Sequence, residues 1–251
     1  MSLDFSKQHI LVTGATSGIG REIAINFFKL NASRIFVTGR RFELLESLRT
    51  EMNDTGRIIP FQADLSKEKE VLRLGKHILD NGGVDIIVHS AGSNSKHSLF
   101  DVTNDEWDNI MSTNVKSAFI LIKELIPEMI KNQYGRIIIL SSVVARTGGL
   151  GHANCAYVSS KGAINALVKN TAVFAGKYGI TVNSVSPSFV ETEILEKSGI
   201  NQIKDNLIKL HPIGRLGTIK DIANAVLFLA SKDNGFVTGQ DIGVNGGYVM
   251  Y

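Results

Sequence analysis

Tyr157-Val158-Ser159-Ser160-Lys161 is the segment whose residue types and spacing are best suited to chemistry. On a helix this spacing puts the phenol and the ammonium on one face, a turn apart. A free tyrosine ionises near pH ~10 and is a sluggish acid or base at neutral pH. A neighbouring cation favours the phenolate and can pull that value down by roughly 1–3 pH units. The expectation is a Tyr157 made acidic by Lys161, able to give a proton to a carbonyl oxygen or to remove one from an alcohol. Taken alone the spacing is common, and an ordinary helix surface reads the same way.

A second cluster lies at the start of the chain, in Thr13-Gly14-Ala15-Thr16-Ser17-Gly18-Ile19-Gly20. It follows an apolar run that reads as a strand and opens an amphipathic stretch that reads as a helix. Gly14 suits the sharp turn out of the strand. Gly18 and Gly20 remove side chains where a diphosphate must approach the backbone and where the helix must pack on the sheet. The helix N-terminus offers N–H groups and a partial positive charge to that diphosphate. A structural turn is the other reading of the triplet. Further on, the second strand ends Val37-Thr38-Gly39-Arg40-Arg41. An NAD-preferring site usually carries an acidic residue there for the ribose 2′-hydroxyl, but two guanidinium groups stand in its place. Arginine presents forked donors that match phosphate, so Arg40, helped by Arg41, is expected to bind the 2′-phosphate of NADP. A solvated pair before a helix is the alternative. Glu43 is better explained by dipole stabilisation in a first helical turn than as a ribose ligand.

The elements that must position these groups alternate. Strands are expected at Ile10–Thr13, Arg34–Thr38, Ile58–Gln62, Asp85–His89, Arg136–Ser141, Thr181–Val185 and Asp241–Val244. Helices are expected at Ile19–Leu30, Phe42–Asn53, Lys67–Leu79, Asp105–Ile130, Ala156–Lys177 and Ile219–Ala230. Strands linked by helices must pair in parallel, and right-handed crossovers cover both faces of the sheet. The fold class is therefore α/β, a doubly wound Rossmann-type domain with a seven-stranded parallel sheet over residues 1–251. Residues 188–216 are less periodic and are expected to form a substrate lid.

Composition excludes several classes. The chain has 251 residues, 43% hydrophobic and 20% charged, which is globular usage. Its longest apolar run, Ala225–Ala230, is far short of the ~20 residues of a membrane span. The 27 Lys and Arg against 24 Asp and Glu are dispersed, which argues against nucleic acid. No secretory signal is visible, and the lone Cys155 has no intramolecular partner, so a cytoplasmic location is expected. His97, His152 and His211 have no ligand spacing, and no metal is expected. Cys155 reads as a small buried thiol, and His89 as a packed or hydrogen-bonded histidine.

Together with Asp64-Leu65, Ser90-Ala91-Gly92, Asn114, Ser141-Ser142, Asn183 with Pro187, and Thr192, these motifs fall in an order that resembles the short-chain dehydrogenase/reductase family. The resemblance covers essentially the whole chain. It implies that Ser142 holds a substrate carbonyl, Tyr157 is the general acid/base, and Lys161 lowers the tyrosine pKa and binds the nicotinamide ribose. It also implies that Asn114 anchors a water in a proton relay to Lys161. Asp64 and Leu65 would contact adenine, Ala91 and Gly92 would lie beside the cofactor, and Val190 and Thr192 would hold the carboxamide and the diphosphate. The implied activity is NADP(H)-dependent hydride transfer between nicotinamide and a carbonyl or secondary alcohol. The substrate would be an acyl thioester on acyl carrier protein, or another ketone, sugar or cyclic alcohol. An inactive nucleotide sensor is the reading from a different class. A homotetramer is implied, with the helices Asp105–Ile130 and Ala156–Lys177 at a dimer interface and Met250 and Tyr251 near a neighbouring subunit.

This chain departs from the family pattern in places. His89-Ser90 replaces a common Asn-Asn, Ser188 replaces the glycine usual after Pro187, and Asn245 replaces a common Asp. Fourteen residues separate Ser142 from Tyr157, so the loop Arg146–His152 is expected to be enlarged, and Ser141 is an alternative to Ser142. His152, Asn154 and Phe189 are candidates to line the substrate mouth.

Overall fold

The computed structural model describes residues 3–149, 154–191 and 204–250. Its strands β1 (His9–Thr13), β2 (Arg34–Gly39), β3 (Ile58–Gln62), β4 (Ile86–His89), β5 (Gly135–Leu140), β6 (Ile180–Pro187) and β9 (Asp241–Val244) form one seven-stranded sheet. The strand order is β3-β2-β1-β4-β5-β6-β9, and every pair is parallel. From β1 the chain runs outward to β2 and β3, then returns to β4 on the other side of β1. That reversal opens a crevice at the C-terminal ends of β1 and β4, the place where open α/β sheets take ligands.

Successive strand residues face opposite sides, and two cores follow from this. Ile10, Val12 and Ile138 pack beneath α1 (Gly18–Lys29), α2 (Phe42–Glu51) and α9 (Ile219–Ala230). Leu11, Ile137 and Ile139 pack beneath α3 (Glu68–Asp80), α5 (Ser117–Asn132) and α7 (Cys155–Ala175). Each fully buried Ile, Leu or Phe contributes about 1.5–3 kcal/mol. This two-sided burial is why the strands read as continuous apolar runs.

Two features depart from expectation. The single helix expected over Asp105–Ile130 is instead α4 (Asn104–Met111), a π-helical turn (Ser112–Lys116) and α5. The wider turn carries the buried Asn114, whose side chain is satisfied by groups outside the helix. A small second sheet pairs β7 (Val190–Glu191) with β8 (Gly217–Thr218). Within the expected lid 188–216, residues 192–203 lie outside the described residues, and the remainder includes β7, α8 (Lys204–Lys209) and the start of the segment leading to β8. Thr192, His152 and Tyr251 also lie outside the described residues.

Candidate active site

After the short helix α6 (Val144–Thr147), helix α7 begins where Asn154 caps it. Its Oδ1 accepts from the backbone N–H groups of Ala156 at 2.9 Å and Tyr157 at 3.2 Å. Such a cap is worth about 1 kcal/mol and fixes Tyr157 in the first helical turn. Asn154 also donates to the His97 carbonyl at 3.0 Å and is buried, so it anchors the helix rather than lining a mouth. An asparagine just ahead of a helical pattern is the signal that could have revealed this.

Tyr157 is half-buried, and the Ser142 side chain hydrogen-bonds its phenol. Burial pushes the phenol above its ordinary pKa, and the Ser142 bond opposes that without overcoming it. This corrects the expectation of a tyrosine acidified by Lys161. The Lys161 Nζ lies 5.4 Å from the ring centroid and donates instead to the Leu140 carbonyl at 2.7 Å. Burial brings the ammonium down to about 8. Ser141 donates to the Lys161 carbonyl at 3.2 Å, so Ser142 rather than Ser141 is the serine brought to Tyr157.

Asn114 ties the π-helical turn to the loop after β4. It accepts from Ser93 N–H at 2.7 Å, donates to the Ser93 carbonyl at 3.0 Å and donates to Ser160 Oγ at 2.9 Å. Ser160, which sequence reasoning passed over, lies one turn beyond Tyr157 and donates to its carbonyl at 2.7 Å. A Cβ at Gly92 would stand 3.7 Å from both Asn114 Oδ1 and Lys161 Nζ, so these two polar groups flank the same open spot. His89 is buried, with Nδ1 3.1 Å from Thr13 Oγ1 and Nε2 3.2 Å from Ser117 Oγ. Burial first, then the Lys161 charge, hold it down to about 3, so it is neutral and packed as expected.

The glycine turn sits across the crevice from β4. At Gly14 (φ 70°) a Cβ would come within 2.9 Å of the Ala91 backbone, and at Gly20 within 2.4 Å of the Gly14 carbonyl. Ala91 N–H donates to Thr13 Oγ1 at 3.0 Å, binding the two strand ends together. Helix α1 starts at Gly18, with Ile19 in its first turn. Its N-cap Ser17 makes no side-chain cap, and no acidic residue stands in that turn. The N–H groups of that end are therefore left to an outside acceptor. Arg41 donates to Thr16 Oγ1 at 3.1 Å and to Ser17 Oγ at 3.3 Å, which places a cation directly on this turn.

Arg40 is exposed and lines an open depression of about 410 Å³ with Gln62, Asp64, Lys67, Glu70 and Arg73. Partial burial works against ionisation of Asp64, but Ser66 hydrogen bonds and the charges of Lys67 and Arg40 outweigh it and hold the carboxyl below its usual pKa. Leu65 is buried beside it, and Glu43 sits in the first turn of α2. At the other end of the crevice, Val190 is buried in β7. Cys155 is half-exposed rather than buried. His97 bonds Glu106 at 2.7 Å, and Asn245 accepts from Gly247 N–H at 3.0 Å within its own turn.

Among the described residues, no helix is long and apolar enough to cross a membrane. A family model described as enoyl-(acyl carrier protein) reductase matches residues 14–249. A 3-oxoacyl-[acyl-carrier-protein] reductase of Buchnera aphidicola subsp. Schizaphis graminum is 36% identical over 99% of this chain and 100% of that protein. The crystal structure of a 3-oxoacyl-[acyl-carrier protein] reductase with bound NAD from Brucella melitensis is 30% identical, with TM-score 0.88 over 99% of this chain and 95% of that one. A short-chain dehydrogenase/reductase described as glucose/ribitol dehydrogenase, also from Brucella melitensis, is 27% identical, with TM-score 0.90 over the full length of both chains. With the match extending from the glycine turn to the last strand, this chain belongs to the short-chain dehydrogenase/reductase family of oxidoreductases.

Proposed function

We propose that this chain reduces a 3-oxoacyl thioester carried on acyl carrier protein, with NADPH as the hydride donor. One domain, residues 1–251, would serve both binding and catalysis. The observation that carries the reading is the meeting of Ser142, Tyr157 and Lys161 beside the glycine turn. An inactive sensor would have no use for that arrangement. The residues fit a dinucleotide, because the α1 terminus is uncapped by its own side chain and the Arg41 guanidinium stands on the same turn. Thr16, Ser17, Gly18 and Ile19 would take the diphosphate. Arg40 and Arg41 would take the 2′-phosphate, Asp64 and Leu65 the adenine, and Ala91, Gly92 and Val190 the rest of the cofactor. Thr192 is assigned there from the sequence alone.

A bound nicotinamide supplies the hydride. The chain's own groups do the remainder. Ser142 and Tyr157 direct hydroxyls at one point, where both can stabilise the negative charge that develops on a carbonyl oxygen. Burial keeps the Tyr157 phenol protonated near neutral pH, so in the reducing direction it is the acid that delivers the proton. A water held between Asn114 and Lys161 would carry the proton that restores the phenol. Lys161, freed from the Leu140 carbonyl, would bind the nicotinamide ribose.

The Brucella dehydrogenase supports a second reading, a polyol or sugar as substrate. Exposed Phe119 on α5 and Val173 and Phe174 on α7 support a homotetramer, and a cytoplasmic location belongs to the same reading. The test is a kinetic comparison of acetoacetyl thioesters with simple ketones and sugars, using NADPH and NADH in parallel. The proposal expects the thioester to give the highest kcat/KM with NADPH. A sugar or polyol preferred over every thioester would replace it with the second reading.

A further inference from the structure

Ser188 stands directly after β6, where the family resemblance leads to an expectation of glycine. Its Oγ lies 2.8 Å from His211 Nε2, and His211 Nδ1 lies 2.7 Å from the Leu207 carbonyl. A carbonyl oxygen only accepts, so Nδ1 carries the ring proton. In the neutral imidazole Nε2 then has a lone pair alone, and Ser188 must be the donor. The single hydroxyl hydrogen of Ser188 is thereby committed to His211. Its oxygen is left with lone pairs, and a group that could have turned either way is fixed as an acceptor.

Packing holds the imidazole in this orientation. His211 is buried, the Tyr248 ring lies 5.5 Å from it at 31°, and Phe189 meets it edge-on at 6.2 Å. On another side, a Cβ at Gly246 would stand 3.3 Å from His211 Cδ2. The backbone leading into Ser188 runs beside that following Ser142, because the Pro187 carbonyl accepts from Val143 N–H at 3.0 Å.

We propose that Ser188 is a further cofactor-binding residue that accepts a hydrogen bond from the carboxamide N–H of nicotinamide, and that His211 is its positioning residue. The proposal rests on the nicotinamide reading above. A primary carboxamide can turn either its NH2 or its carbonyl toward a protein group. An oxygen held as an acceptor selects the NH2 orientation and rejects the other, which fixes the rotation of the amide and steadies the ring.

Calorimetry at pH 8 with NADP+ and its 3-acetylpyridine analogue tests this, because the analogue has a methyl ketone in place of the amide and cannot donate. Wild type should bind NADP+ more tightly than the analogue, and Ser188→Ala should lose about 5-fold for NADP+ alone, the scale of one neutral hydrogen bond. His211→Phe keeps the aromatic bulk but frees the Ser188 hydroxyl to donate, and it should also shrink the preference for NADP+. Binding of adenosine 2′,5′-bisphosphate should be unchanged in both variants, which establishes that they are folded. If wild type binds both dinucleotides and neither substitution alters their ratio, the role of Ser188 is refuted while the cofactor reading stands. If wild type binds neither NADP+ nor NAD+, both fall together.

Discussion

Replacing Lys161 by methionine should remove most of the activity yet leave the empty protein at least as stable near neutral pH. The ammonium is buried and brought from its ordinary 10.5 to about 8. At about 1.4 kcal/mol per pH unit, keeping it charged at pH 7 costs the folded state about 3 kcal/mol. Methionine has similar length and apolar character and removes that cost, but it abandons the Leu140 carbonyl, now bonded at 2.7 Å. A buried carbonyl without a partner costs about 1–3 kcal/mol. The variant should therefore be more stable by about 0–2 kcal/mol at pH 7. The sign reverses with pH. Below pH 8 both folded and unfolded wild type hold the proton and the penalty is complete. Above pH 8 the folded form releases it first, so wild type gains on the variant until the unfolded lysine also titrates. Urea unfolding of both proteins at pH 7 and 9.5, without cofactor, reads this directly. A variant less stable than wild type by more than about 2 kcal/mol at pH 7, or a difference that does not move with pH, would refute the reasoning.

Three other substitutions probe the remaining parts. Arg40→Ala should raise the KM for NADPH by about 10–100-fold, the scale of one or two lost charge-assisted bonds, and leave that for NADH unchanged; equal use of both by wild type would contradict the assignment. Gly20→Ala places a Cβ 2.4 Å from the Gly14 carbonyl, so thermal unfolding should show a loss of about 1–3 kcal/mol and calorimetry a collapse of dinucleotide binding. The Asp241 side chain, 3% exposed, accepts from Ser184, Ser186, Asn165 and Arg146. Asp241→Ala removes the acceptor of Ser186 Oγ and Asn165 Nδ2, while Ser184 Oγ keeps Asn165 Oδ1 at 3.2 Å, and should cost about 1–3 kcal/mol in urea unfolding.

The legible parts of the sequence were those governed by local patterning. Ile58–Gln62, Asp241–Val244 and Ile219–Ala230 lie at the expected residues because polar and glycine-containing turn segments or a helix cap bound them closely. The glycine turn was legible because Gly14 and Gly20 have steric reasons to be glycine. The π-helical turn was not, since one widened turn changes no hydrophobic period, and Asn114 was found only through family resemblance. The two-residue strands β7 and β8 are too short for any pattern. The pKa of Tyr157 was misjudged because the pair spacing reports a nearby ammonium but not the burial or the Leu140 carbonyl that diverts it. The Ser188–His211 bond joins residues far apart in sequence, and only the folded chain reveals it.

The most direct measurement of the central claim is the single-turnover rate of NADPH oxidation by acetoacetyl thioester in wild type and Tyr157→Phe, with NADPH affinity determined for both. If the Tyr157 hydroxyl delivers the proton, the variant should bind NADPH normally and turn over about 10²–10⁴-fold more slowly. A phenylalanine enzyme whose hydride-transfer rate stays within a few-fold of wild type would show that the proton comes from elsewhere.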